Sequence, residues 1–364
     1  MARIVICCRE WSTTTGRYVR ELVHYLQEVD HKNEYFILIK PEDVDSWKPT
    51  NPHFHAVACP HKEYSFDEQI GLKKQIESLK PDLVHFTMVQ QPVLYKGKVV
   101  TTMQDLTTLR FKNPSKNPVI FTIKQFVYGW VNKVAAKKSG LIITPTEFVK
   151  QDIIDYTGVP SDKVRVTYEA ADPLVGDAAP FTPLVNKQFI MYIGRPNPHK
   201  NLPRLINAFV LLQTTHPELR LVLAGKLDAV YNKIKDDVTA RGLKNIIFTD
   251  FISDGQLKWL YNNTSAYVFP SLSEGFGLPG LEAMIHKAPV ASSNATCLPE
   301  VYQDAALYFD PYSEGEMAST IAQIIDNDNE QKRLIKKGSA LAKQYSWKKM
   351  AQETLDVYEE ALSQ

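Results

Sequence analysis

The sequence predicts an α/β protein made of two doubly wound domains, and three observations support this prediction. Short runs of β-branched and other apolar residues alternate with helical patterns along almost all of the 364 residues. The alternation stops once, over Asp172–Lys187, and then restarts with the same order of strand, polar loop and helix. Strands of continuous apolar residues that alternate with helices indicate parallel sheets covered by helices on both faces.

The first half of the chain opens with a strand, a polar loop and a helix. Its strand candidates are short apolar runs, at Arg3–Cys8, Tyr35–Lys40, Leu83–Phe86, Val99–Met103, Leu141–Pro145 and Val164–Thr167. Its helix candidates have the apolar spacing of amphipathic helices, at Gly16–Glu28, Phe66–Leu79, Val119–Lys138 and Thr146–Tyr156.

A linker and a second, similar half follow. Asp172–Lys187 contains three prolines and a glycine and has little periodicity, which is typical of a linker. Strands are then predicted at Phe189–Ile193, Arg220–Ala224, Asn245–Thr249, Ala266–Phe269, Pro289–Ala291 and Ala306–Phe309. Helices are predicted at Leu202–Gln213, Ala229–Ala240, Asp254–Tyr261, Gly277–His286, Gly315–Asp326, Glu330–Gln344 and Trp347–Leu362. We therefore predict a first domain over residues 1–180, a second over 181–345 and a final helical segment over 346–364.

The composition is that of a globular protein without a strongly charged partner. Apolar residues make up 44% of the chain and charged residues 23%, and the formal net charge is +1. This balance predicts no nucleic-acid partner. No apolar run is long enough to span a bilayer, and the short apolar stretch in Met1–Arg9 predicts a first strand and not a signal peptide.

The cysteines point to a reducing compartment. Cys7, Cys8, Cys59 and Cys297 have neither the spacing of a metal site nor that of a disulfide framework. The histidines form no metal-spaced set either. We therefore predict reduced thiols, a cytoplasmic location and no bound metal.

Two carboxylates eight positions apart frame a glycine-rich turn, Glu274–Glu282. A strand is predicted directly before it and a helix directly after it, so the turn falls at the carboxyl end of a strand, where α/β sheets bind ligands. Pro279 suits the first turn of a helix, and the free N–H groups of such a turn attract phosphate or sugar oxygens. Glu282 is placed to accept the hydroxyl groups of a ribose, and Glu274 those of a hexose.

The same turn has a second interpretation. Gly275–Gly280 also spells G-x-G-x-x-G, the dinucleotide fingerprint. Here the pattern follows Ser271–Glu274 and not the strand itself, and it lies late in the chain, whereas the fingerprint normally opens its βαβ unit. A dinucleotide oxidoreductase therefore stays open as the less favoured alternative.

Two cations fall in one loop at the start of the second half. Arg195 and Lys200 follow a strand and precede a helix for which Asn201 is the expected N-cap. A planar guanidinium and a compact ammonium beside a helix N-terminus are suited to a diphosphate. The alternative is that Arg195 pairs with a carboxylate and Lys200 is solvated. Because Glu274 and Glu282 lie on another loop at the carboxyl end of a strand in the same half, we favour the interpretation that Arg195 and Lys200 bind a diphosphate.

Together these motifs resemble one family. Gly194–Arg195 and Lys200–Asn201, joined to Glu-x7-Glu at Glu274–Glu282, resemble the retaining glycosyltransferases of the GT-B fold, in the family 4 group. Further similar pieces extend over nearly the whole chain, at Thr144–Phe148, Thr157–Val166, Asp250–Tyr261, Pro299–Val301 and Asp310–Pro311. The resemblance implies two Rossmann-like domains with a cleft between them and a last helix that crosses back to the first domain.

The resemblance also implies roles for individual residues. Arg195 and Lys200 would neutralise the diphosphate of a nucleotide sugar, Glu274 would hold the sugar and Glu282 the ribose. Other donor-binding residues would lie in the glycine-rich turn and in the base-binding turn, at Gly275, Phe276, Gly277, Leu278 and Phe251. The implied reaction is a front-face displacement with retention, in which Arg195, Lys200 and Glu274 are the catalytic residues and no divalent metal takes part.

The first domain departs from the family's pattern in two places. The family usually carries paired glycines after the first strand, whereas Ser12–Gly16 retains only Gly16. This glycine either brings the backbone close to a diphosphate or follows Thr15 as an ordinary N-cap. The family often has His-Asp where this chain has Gln104 and Asp105. Gln104 cannot titrate near neutral pH but can still hydrogen-bond the sugar, and Asp105 either faces the cleft or caps the residues after it.

One predicted helix combines aromatic and basic residues. Val119–Lys138 carries Phe121, Phe126, Tyr128 and Trp130 together with Lys124, Lys133, Lys137 and Lys138. This character could suit a lipid-linked acceptor at a membrane surface. We favour the simpler interpretation, a core helix with a solvated basic end, because the basic cluster is short.

We therefore predict a retaining transferase of hexosyl or deoxyhexosyl groups. Its substrates would be a nucleotide-diphosphate sugar, with GDP-mannose, UDP-glucose and dTDP-rhamnose as candidates, and a glycan or lipid-linked acceptor. No cofactor is expected, and the location would be cytoplasmic, with the inner face of the membrane as an option. The remaining alternatives are a GT-B sugar-nucleotide epimerase and a non-catalytic protein that binds nucleotide sugars.

Overall fold

The computed structural model describes residues 1–13, 15–111 and 118–364, without the side chains of residues 118–121, 123 and 124. Thr14 of the Ser12–Gly16 loop and the side chains of Phe121 and Lys124 therefore lie outside the description. The described residues form two compact units. One comprises Met1–Arg110, residues 118–169 and Ser346–Gln364, and the other comprises Phe111 and Ala170–Tyr345.

A seven-stranded parallel sheet forms the centre of the first unit. Its strands are β1 (Arg3–Cys7), β2 (Glu34–Ile39), β3 (Phe54–Ala58), β4 (Leu83–Phe86), β5 (Val99–Thr102), β6 (Leu141–Thr144) and β7 (Val164–Val166). They lie in the order β3-β2-β1-β4-β5-β6-β7, so the chain reverses its direction across the sheet between β1 and β4. Strand β3 was not predicted, because an edge strand with half-exposed side chains lacks a continuous apolar run.

Helices follow the strands of the first unit. They are α1 (Gly16–Val29), α2 (Lys73–Ser78), α3 (Thr107–Arg110), α4 (Pro118–Lys138) and α5 (Glu147–Thr157). The helix predicted over Phe66–Leu79 differs from the prediction, because its first part, Glu68–Leu72, is a π-helical turn and only the remainder is α-helical. Single π-helical turns are rare and frequently occur at functional sites.

The second unit has its own parallel sheet, with six strands. These are β8 (Phe189–Ile193), β9 (Arg220–Ala224), β10 (Ile246–Phe248), β11 (Ala266–Phe269), β12 (Val290–Ser293) and β13 (Ala306–Phe309). The order is β10-β9-β8-β11-β12-β13, and the direction reverses between β8 and β11. Central strands such as β11 are completely buried, as their continuous apolar sequences predict. The prediction of two doubly wound α/β domains is confirmed.

The helices of the second unit follow its strands. They are α6 (Leu202–Leu212), α7 (Ala229–Ala240), α8 (Asp254–Asn263), α9 (Leu278–Ile285), α10 (Leu298–Tyr302), α11 (Glu314–Ile325) and α12 (Asp328–Leu341), followed by α13 (Trp347–Ser363) of the first unit. Short 3-10 turns occur at Val44–Ser46, Ser161–Lys163, Thr182–Leu184, Pro198–Lys200, Gln303–Ala305 and Ala342–Gln344.

The predicted linker is largely part of the second unit. The backbone N–H of Ala179 donates to the carbonyl of Gly255 at 2.9 Å, and that of Leu174 donates to Nε2 of His286 at 3.0 Å. Lys258 Nζ donates to the carbonyl of Gly176 at 2.7 Å. These bonds fix residues 174–179 against the second unit, so the unit boundary lies at residue 169 and not at 180.

Helix α13 belongs to the first unit, where it packs against α1. Its Tyr358 hydroxyl lies 2.6 Å from Nδ1 of His85 on β4, and Nε2 of His85 lies 2.8 Å from Oγ1 of Thr102 on β5. His85 is completely buried. The last helix is therefore tied to the centre of the first sheet through a buried imidazole.

Acid is expected to destabilise the protein through His85. Burial lowers the pKa of this imidazole to about 3. Because an unfolded histidine takes up a proton near pH 6.5, the stabilisation is complete above that pH and is lost as the pH falls towards 3. At pH 5 we expect a loss of about 2 kcal/mol from this residue. Urea unfolding of the protein and of His85→Gln should show a difference in stability that changes by this amount between pH 7 and pH 5, and an unchanged difference would contradict it.

The aromatic and basic helix predicted in the first half is α4. Phe126 and Trp130 are 78% and 52% exposed on it. Lys138 is not solvated, because its Nζ donates to the carbonyl of Pro92 at 2.6 Å and lies 5.4 Å from the ring centroid of Tyr95. Burial, with a contribution from the charge of Lys73, lowers the pKa of Lys138 to about 8.

Among the described residues, no helix is both long and apolar enough to cross a membrane.

Candidate functional site

The candidate site lies at the point where the second sheet reverses its strand order. Strands β8 and β11 are neighbours, and the loop after β8 and the loop after β11 both start at the same edge. Ligands of doubly wound sheets bind in the crevice formed by two such loops. The first loop carries Arg195 and Lys200, and the second carries Glu274 and the glycine-rich turn.

Lys200 and Glu274 form an ion pair across this crevice. The distance from Lys200 Nζ to Glu274 Oε1 is 2.5 Å, and the two side chains are 17% and 13% exposed. The ammonium also lies 5.5 Å from the ring centroid of Phe269 at the end of β11. Lys200 is therefore not solvated, and its charge is held in place by a carboxylate that lies 74 residues away in the chain.

Asn201 joins the two loops, although not in the predicted way. It has a left-handed backbone, with φ of 61°, and its side chain does not cap α6. Instead its Nδ2 donates to the carbonyls of Pro270 and Pro311, at 3.1 and 2.7 Å. Asn201 therefore holds the predicted N-cap position but does not cap with its side chain, because its Oδ1 accepts a hydrogen bond from Nη1 of Arg204 at 3.0 Å. A backbone bond of 2.7 Å from Leu272 N–H to the carbonyl of His199 joins the same loops.

A third loop fixes the backbone of Glu274. Its N–H donates to Oγ1 of Thr296 at 3.2 Å, and its carbonyl accepts from Sγ of Cys297 at 3.3 Å. Both partners follow β12, the strand next to β11. No local sequence signal indicates these contacts, because a threonine and a cysteine after a strand have no spacing typical of a ligand site. Sequence analysis missed them for this reason.

Gly277 begins α9 in a conformation that only glycine adopts easily. Its φ is 95°, and a Cβ atom there would lie 2.5 Å from the hydroxyl oxygen of Tyr302. That hydroxyl donates a hydrogen bond to the carbonyl of Gly277. Gly277 offers no side-chain cap, so the first-turn N–H groups of this eight-residue helix have no side-chain acceptor at the N-cap. A helix start of this kind favours an anion.

Gly277→Ala should destabilise the protein more than a matched glycine substitution. The alanine would add left-handed backbone strain and a clash with Tyr302, which together cost about 2–4 kcal/mol. Gly242, with φ of 63°, has nothing within 4 Å of an added Cβ, so Gly242→Ala tests strain alone. We expect it to cost about 1–2 kcal/mol in urea unfolding. Equal losses in the two variants would show that the contact with Tyr302 contributes nothing.

Arg195 lies on the same loop as Lys200 but is exposed. Among the described residues its guanidinium has no ion pair or hydrogen bond, so the predicted alternative of a carboxylate partner is not realised. Gly194 precedes it with φ of 145°, and an added Cβ at Gly225 would lie 2.6 Å from the carbonyl of Gly194. The loops after β8 and β9 therefore approach closely beside an exposed cation.

The remaining second-unit candidates lie around the glycine-rich turn or beyond it. Glu282 is half-buried on α9, and its Oε2 accepts a long bond of 3.4 Å from the Tyr261 hydroxyl. The Phe276 ring is buried and packs edge-on against Tyr345, which leaves only the backbone of Gly275, Phe276, Gly277 and Leu278 to contact a donor. Phe251 is 83% exposed in the turn after β10, two strands away from β8.

His199 stands beside the ion pair and is neutral at physiological pH. Burial, together with the charge of Lys200, lowers the pKa of His199 to about 4, against a smaller opposite effect of Glu274. The imidazole therefore adds no positive charge to the loop. The positive charge offered to a ligand here belongs to Lys200 and Arg195.

The first-unit candidates surround a separate small cavity. Gln104 and Asp105 line a space of about 150 Å³ together with Thr15, the neighbour of Gly16. Thr15 does not cap α1 with its side chain. Gly16 is required by packing, because an added Cβ would lie 2.1 Å from the carbonyl oxygen of Trp11. Asp105 caps the residues after it, since its Oδ1 accepts from Thr107 N–H at 2.7 Å.

Sequence analysis missed a buried carboxyl group beside this cavity. Glu169 is 5% exposed, and burial raises its pKa to about 7, partly offset by the Gln104 amide and the charge of Arg17 and reinforced by Asp105. A buried acid with a pKa near neutrality is a feature of functional sites.

Fold and site together define a class of protein. Two parallel-sheet units with cations, carboxylates and a helix start at the switch point of the second sheet are the arrangement of GT-B glycosyltransferases. Solved structures agree on the fold: a sucrose-phosphate synthase from Thermosynechococcus elongatus has a TM-score of 0.79 at 16% identity and covers 100% of both chains. HepE of Anabaena, in complex with UDP and glucose, has a TM-score of 0.74 at 15% identity over 99% of this chain and 100% of its own.

The family follows from the sequence. The family models "Glycosyltransferase Family 4" and "Glycosyl transferases group 1" match residues 15–173 and 179–340. The chain belongs to the GT-B glycosyltransferases of the family 4 type. It is 34% identical over 233 residues to the O-antigen chain mannosyltransferase B of Escherichia coli, a match that covers 60% of this chain and 60% of the length of that relative.

Proposed function

We propose that this protein transfers a mannosyl group, with retention, from a nucleotide-diphosphate mannose to a glycan acceptor and needs no divalent metal. The observation that carries the proposal is the ion pair of Lys200 and Glu274 at the switch point of the second sheet. The Escherichia coli relative, an O-antigen chain mannosyltransferase, supports mannose as the sugar and a polysaccharide as the acceptor.

The chemistry of the donor explains the need for these charges. Cleavage of the glycosidic bond leaves negative charge on the departing diphosphate, which preorganised cations and N–H groups stabilise. Lys200, the exposed Arg195 and the start of α9 supply them. In the free protein Glu274 keeps the ammonium in position. When the diphosphate oxygens share Lys200, the Glu274 carboxylate becomes available to the sugar hydroxyls.

Retention is best explained by a front-face displacement. Glu274 is engaged by Lys200, and burial raises the pKa of the neighbouring Cys297 thiol well above its usual value, reinforced by the charge of Glu274. Neither group is therefore a ready nucleophile. The leaving diphosphate itself can accept the proton of the acceptor hydroxyl as the new bond forms.

The four cysteines are free and buried, which supports our placement of the reaction in the reducing cytoplasm.

A ligand panel tests the proposal. Thermal unfolding would be followed with GDP, GDP-mannose, UDP-glucose, dTDP-rhamnose and NAD, each in the presence of EDTA. A ligand at 100 times its Kd stabilises the folded protein by about 2.7 kcal/mol, and we expect GDP and GDP-mannose to do so. Stabilisation by NAD alone would contradict the proposal and would favour a dinucleotide oxidoreductase. Conversion of the sugar nucleotide to a stereoisomer in the absence of an acceptor, as opposed to its hydrolysis, would indicate an epimerase.

A further inference from the structure

A buried tyrosine packs against the start of α9, and the proposed reaction assigns it no role. Tyr302 is the last residue of α10, and its side chain is fully buried. Its hydroxyl donates a hydrogen bond to the carbonyl of Gly277, which lies 25 residues away in the chain. Burial, reinforced by the charge of Glu274, raises the pKa of Tyr302 well above its usual value. The hydroxyl therefore keeps its proton and remains a donor throughout the physiological pH range.

The glycines of the turn leave space for this hydroxyl. A Cβ atom at Gly277 would lie 2.5 Å from the hydroxyl oxygen of Tyr302, and a Cβ atom at Gly280 would also clash with that oxygen. These are the last two glycines of the G-x-G-x-x-G pattern in Gly275–Gly280. Two of the three glycines of the pattern are therefore explained by a tyrosine that packs against the turn.

The hydrogen bond from Tyr302 fixes a peptide group at the start of the helix. The carbonyl of Gly277 and the N–H of Leu278 belong to one planar trans peptide and point in opposite directions. The carbonyl accepts from the Tyr302 hydroxyl and from the N–H of Gly280, the latter at 3.1 Å. Two donors on one carbonyl hold the peptide in place and polarise it, which strengthens the Leu278 N–H as a donor. The first N–H groups of a helix have no intrahelical partner, and Gly277 has no side chain to cap them.

The same tyrosine also packs beside the ring that supports Lys200. The ring centroids of Tyr302 and Phe269 are 6.4 Å apart. The ammonium of Lys200 lies 5.5 Å from the centroid of the Phe269 ring. Tyr302 therefore contacts both parts of the site to which we assign the diphosphate, the start of α9 and the support of the cation.

We propose that Tyr302 is a positioning residue of the donor site. Its hydroxyl holds the peptide of Gly277 and Leu278 so that the Leu278 N–H donates to a phosphate oxygen, while Tyr302 itself stays buried and does not touch the donor. The inference rests on the proposed function and deepens it by naming a residue that acts on the diphosphate. Because the effect passes through one peptide N–H, it is the same for every nucleoside diphosphate, whatever the base or the sugar.

A purely structural role would give a different result. Tyr302→Phe keeps the ring and its packing against Phe269 and removes only the hydroxyl. If only the ring mattered, the variant would bind a nucleoside diphosphate as tightly as the unsubstituted protein does. If the hydroxyl only stabilised the fold, its removal would weaken the binding of a nucleoside and of its diphosphate by the same factor.

The test compares Tyr302→Phe with a matched tyrosine substitution. Tyr308→Phe is the control, because the Tyr308 hydroxyl also donates to a backbone carbonyl, that of Gln303 at 2.6 Å, which lies outside the glycine-rich turn. Calorimetric titration measures the Kd of GDP, and an NMR titration measures that of guanosine, for the full chain and both variants. Initial rates with GDP-mannose and a mannobioside acceptor give kcat/KM for the donor.

We expect Tyr302→Phe to raise the Kd of GDP about tenfold and to lower kcat/KM for GDP-mannose by at least as much, the usual effect of weakening one hydrogen bond to a charged group. The Kd of guanosine should not change, and Tyr308→Phe should match the unsubstituted protein. An unchanged Kd of GDP in Tyr302→Phe, or a Kd of guanosine that rises by the same factor, overturns the inference.

The outcome separates this inference from the choice of donor. If the unsubstituted protein binds UDP or dTDP and not GDP, the proposed mannose donor fails. The same comparison with that nucleotide and its nucleoside then supports or overturns the role of Tyr302 by the same criteria. If the unsubstituted protein binds no nucleoside diphosphate, the inference and the proposed function are both overturned.

A measurement on the unsubstituted protein does not depend on the folding of Tyr302→Phe. Labelling with ¹³C-glycine and ¹⁵N-leucine selects the Gly-Leu peptides of the chain, at residues 71–72, 140–141, 242–243, 277–278 and 280–281. Leu278→Ile identifies the signal of Leu278 by its loss. Addition of GDP should move the Leu278 amide proton downfield, because the N–H then donates to a charged oxygen. A Leu278 signal that GDP leaves in place overturns the inference.

Discussion

Lys200→Ala is expected to reduce the proposed mannosyl transfer by about 10²–10³-fold, the usual effect of removing one preorganised group that stabilises developing negative charge. The ammonium is 2.5 Å from Glu274 and only 17% exposed, so its charge acts in a partly dehydrated site. Removal also leaves Glu274 without its partner, and that carboxylate then repels the diphosphate. Initial rates with GDP-mannose and a mannobioside acceptor measure the effect.

Two controls make this result specific. Lys200→Arg keeps the charge but changes its shape and should recover part of the rate. Lys244→Ala removes an exposed lysine of the same unit and should leave the rate unchanged. A Lys200→Ala enzyme that retains more than half of the activity would show that this cation does not act on the leaving group.

Arg9→Ala is expected to destabilise the first unit by about 3–5 kcal/mol, because it leaves the Glu68 carboxylate buried without its cation. The pair is almost fully buried, and Arg9 also donates to the carbonyls of His61 and Gln90. Urea unfolding followed by circular dichroism measures the loss. Glu68→Ala should lower the free energy of unfolding by a similar amount, since each substitution leaves one buried charge without its partner.

The double variant provides the control for this prediction. Arg9→Met with Glu68→Leu replaces both charges by apolar side chains of similar size and should recover much of the lost stability, as buried pairs are often replaceable in this way. If the single substitutions cost less than about 1 kcal/mol each, a range typical of solvated pairs, the ion pair does not stabilise the unit.

The sequence predicts the fold because the signals that define it are local. Strand β11 and helix α7 occupy the predicted residues. Their apolar residues follow the pattern of burial, as a continuous run in the strand and at helical spacing in the helix, so the sequence alone predicts both. The edge strand β3 and the π-helical turn at Glu68–Leu72 were missed. An edge strand is buried on too few sides to leave an apolar run, and a π-helical turn has no periodicity of its own.

The candidate site was predictable only in part. Lys200 and Glu274 could be brought together from sequence, because two carboxyl-end loops meet where the strand order reverses. Thr296 and Tyr302 could not, because hydrogen bonds to the backbone of Glu274 and Gly277 depend on how distant loops pack. Asn201 occupies the predicted N-cap position, but local sequence could not show that its side chain bonds Arg204 and two distant carbonyls instead of capping the helix.

The first unit shows the same limit. Gln104 and Asp105 were selected by position, but the buried acid Glu169 beside them carries no motif, and its raised pKa results from burial. Aromatic residues on α4 were noted in the sequence, yet only the packing of the unit shows that Phe126 and Trp130 are exposed.

The most direct test of the central claim is the initial rate of mannosyl transfer from GDP-mannose, measured after exhaustive treatment with EDTA and again after addition of Mg²⁺ or Mn²⁺. If Lys200 and Arg195 stabilise the departing diphosphate, the chelated enzyme keeps its full rate and added metal does not increase it. A rate that is abolished by EDTA and restored by a divalent ion would contradict the account.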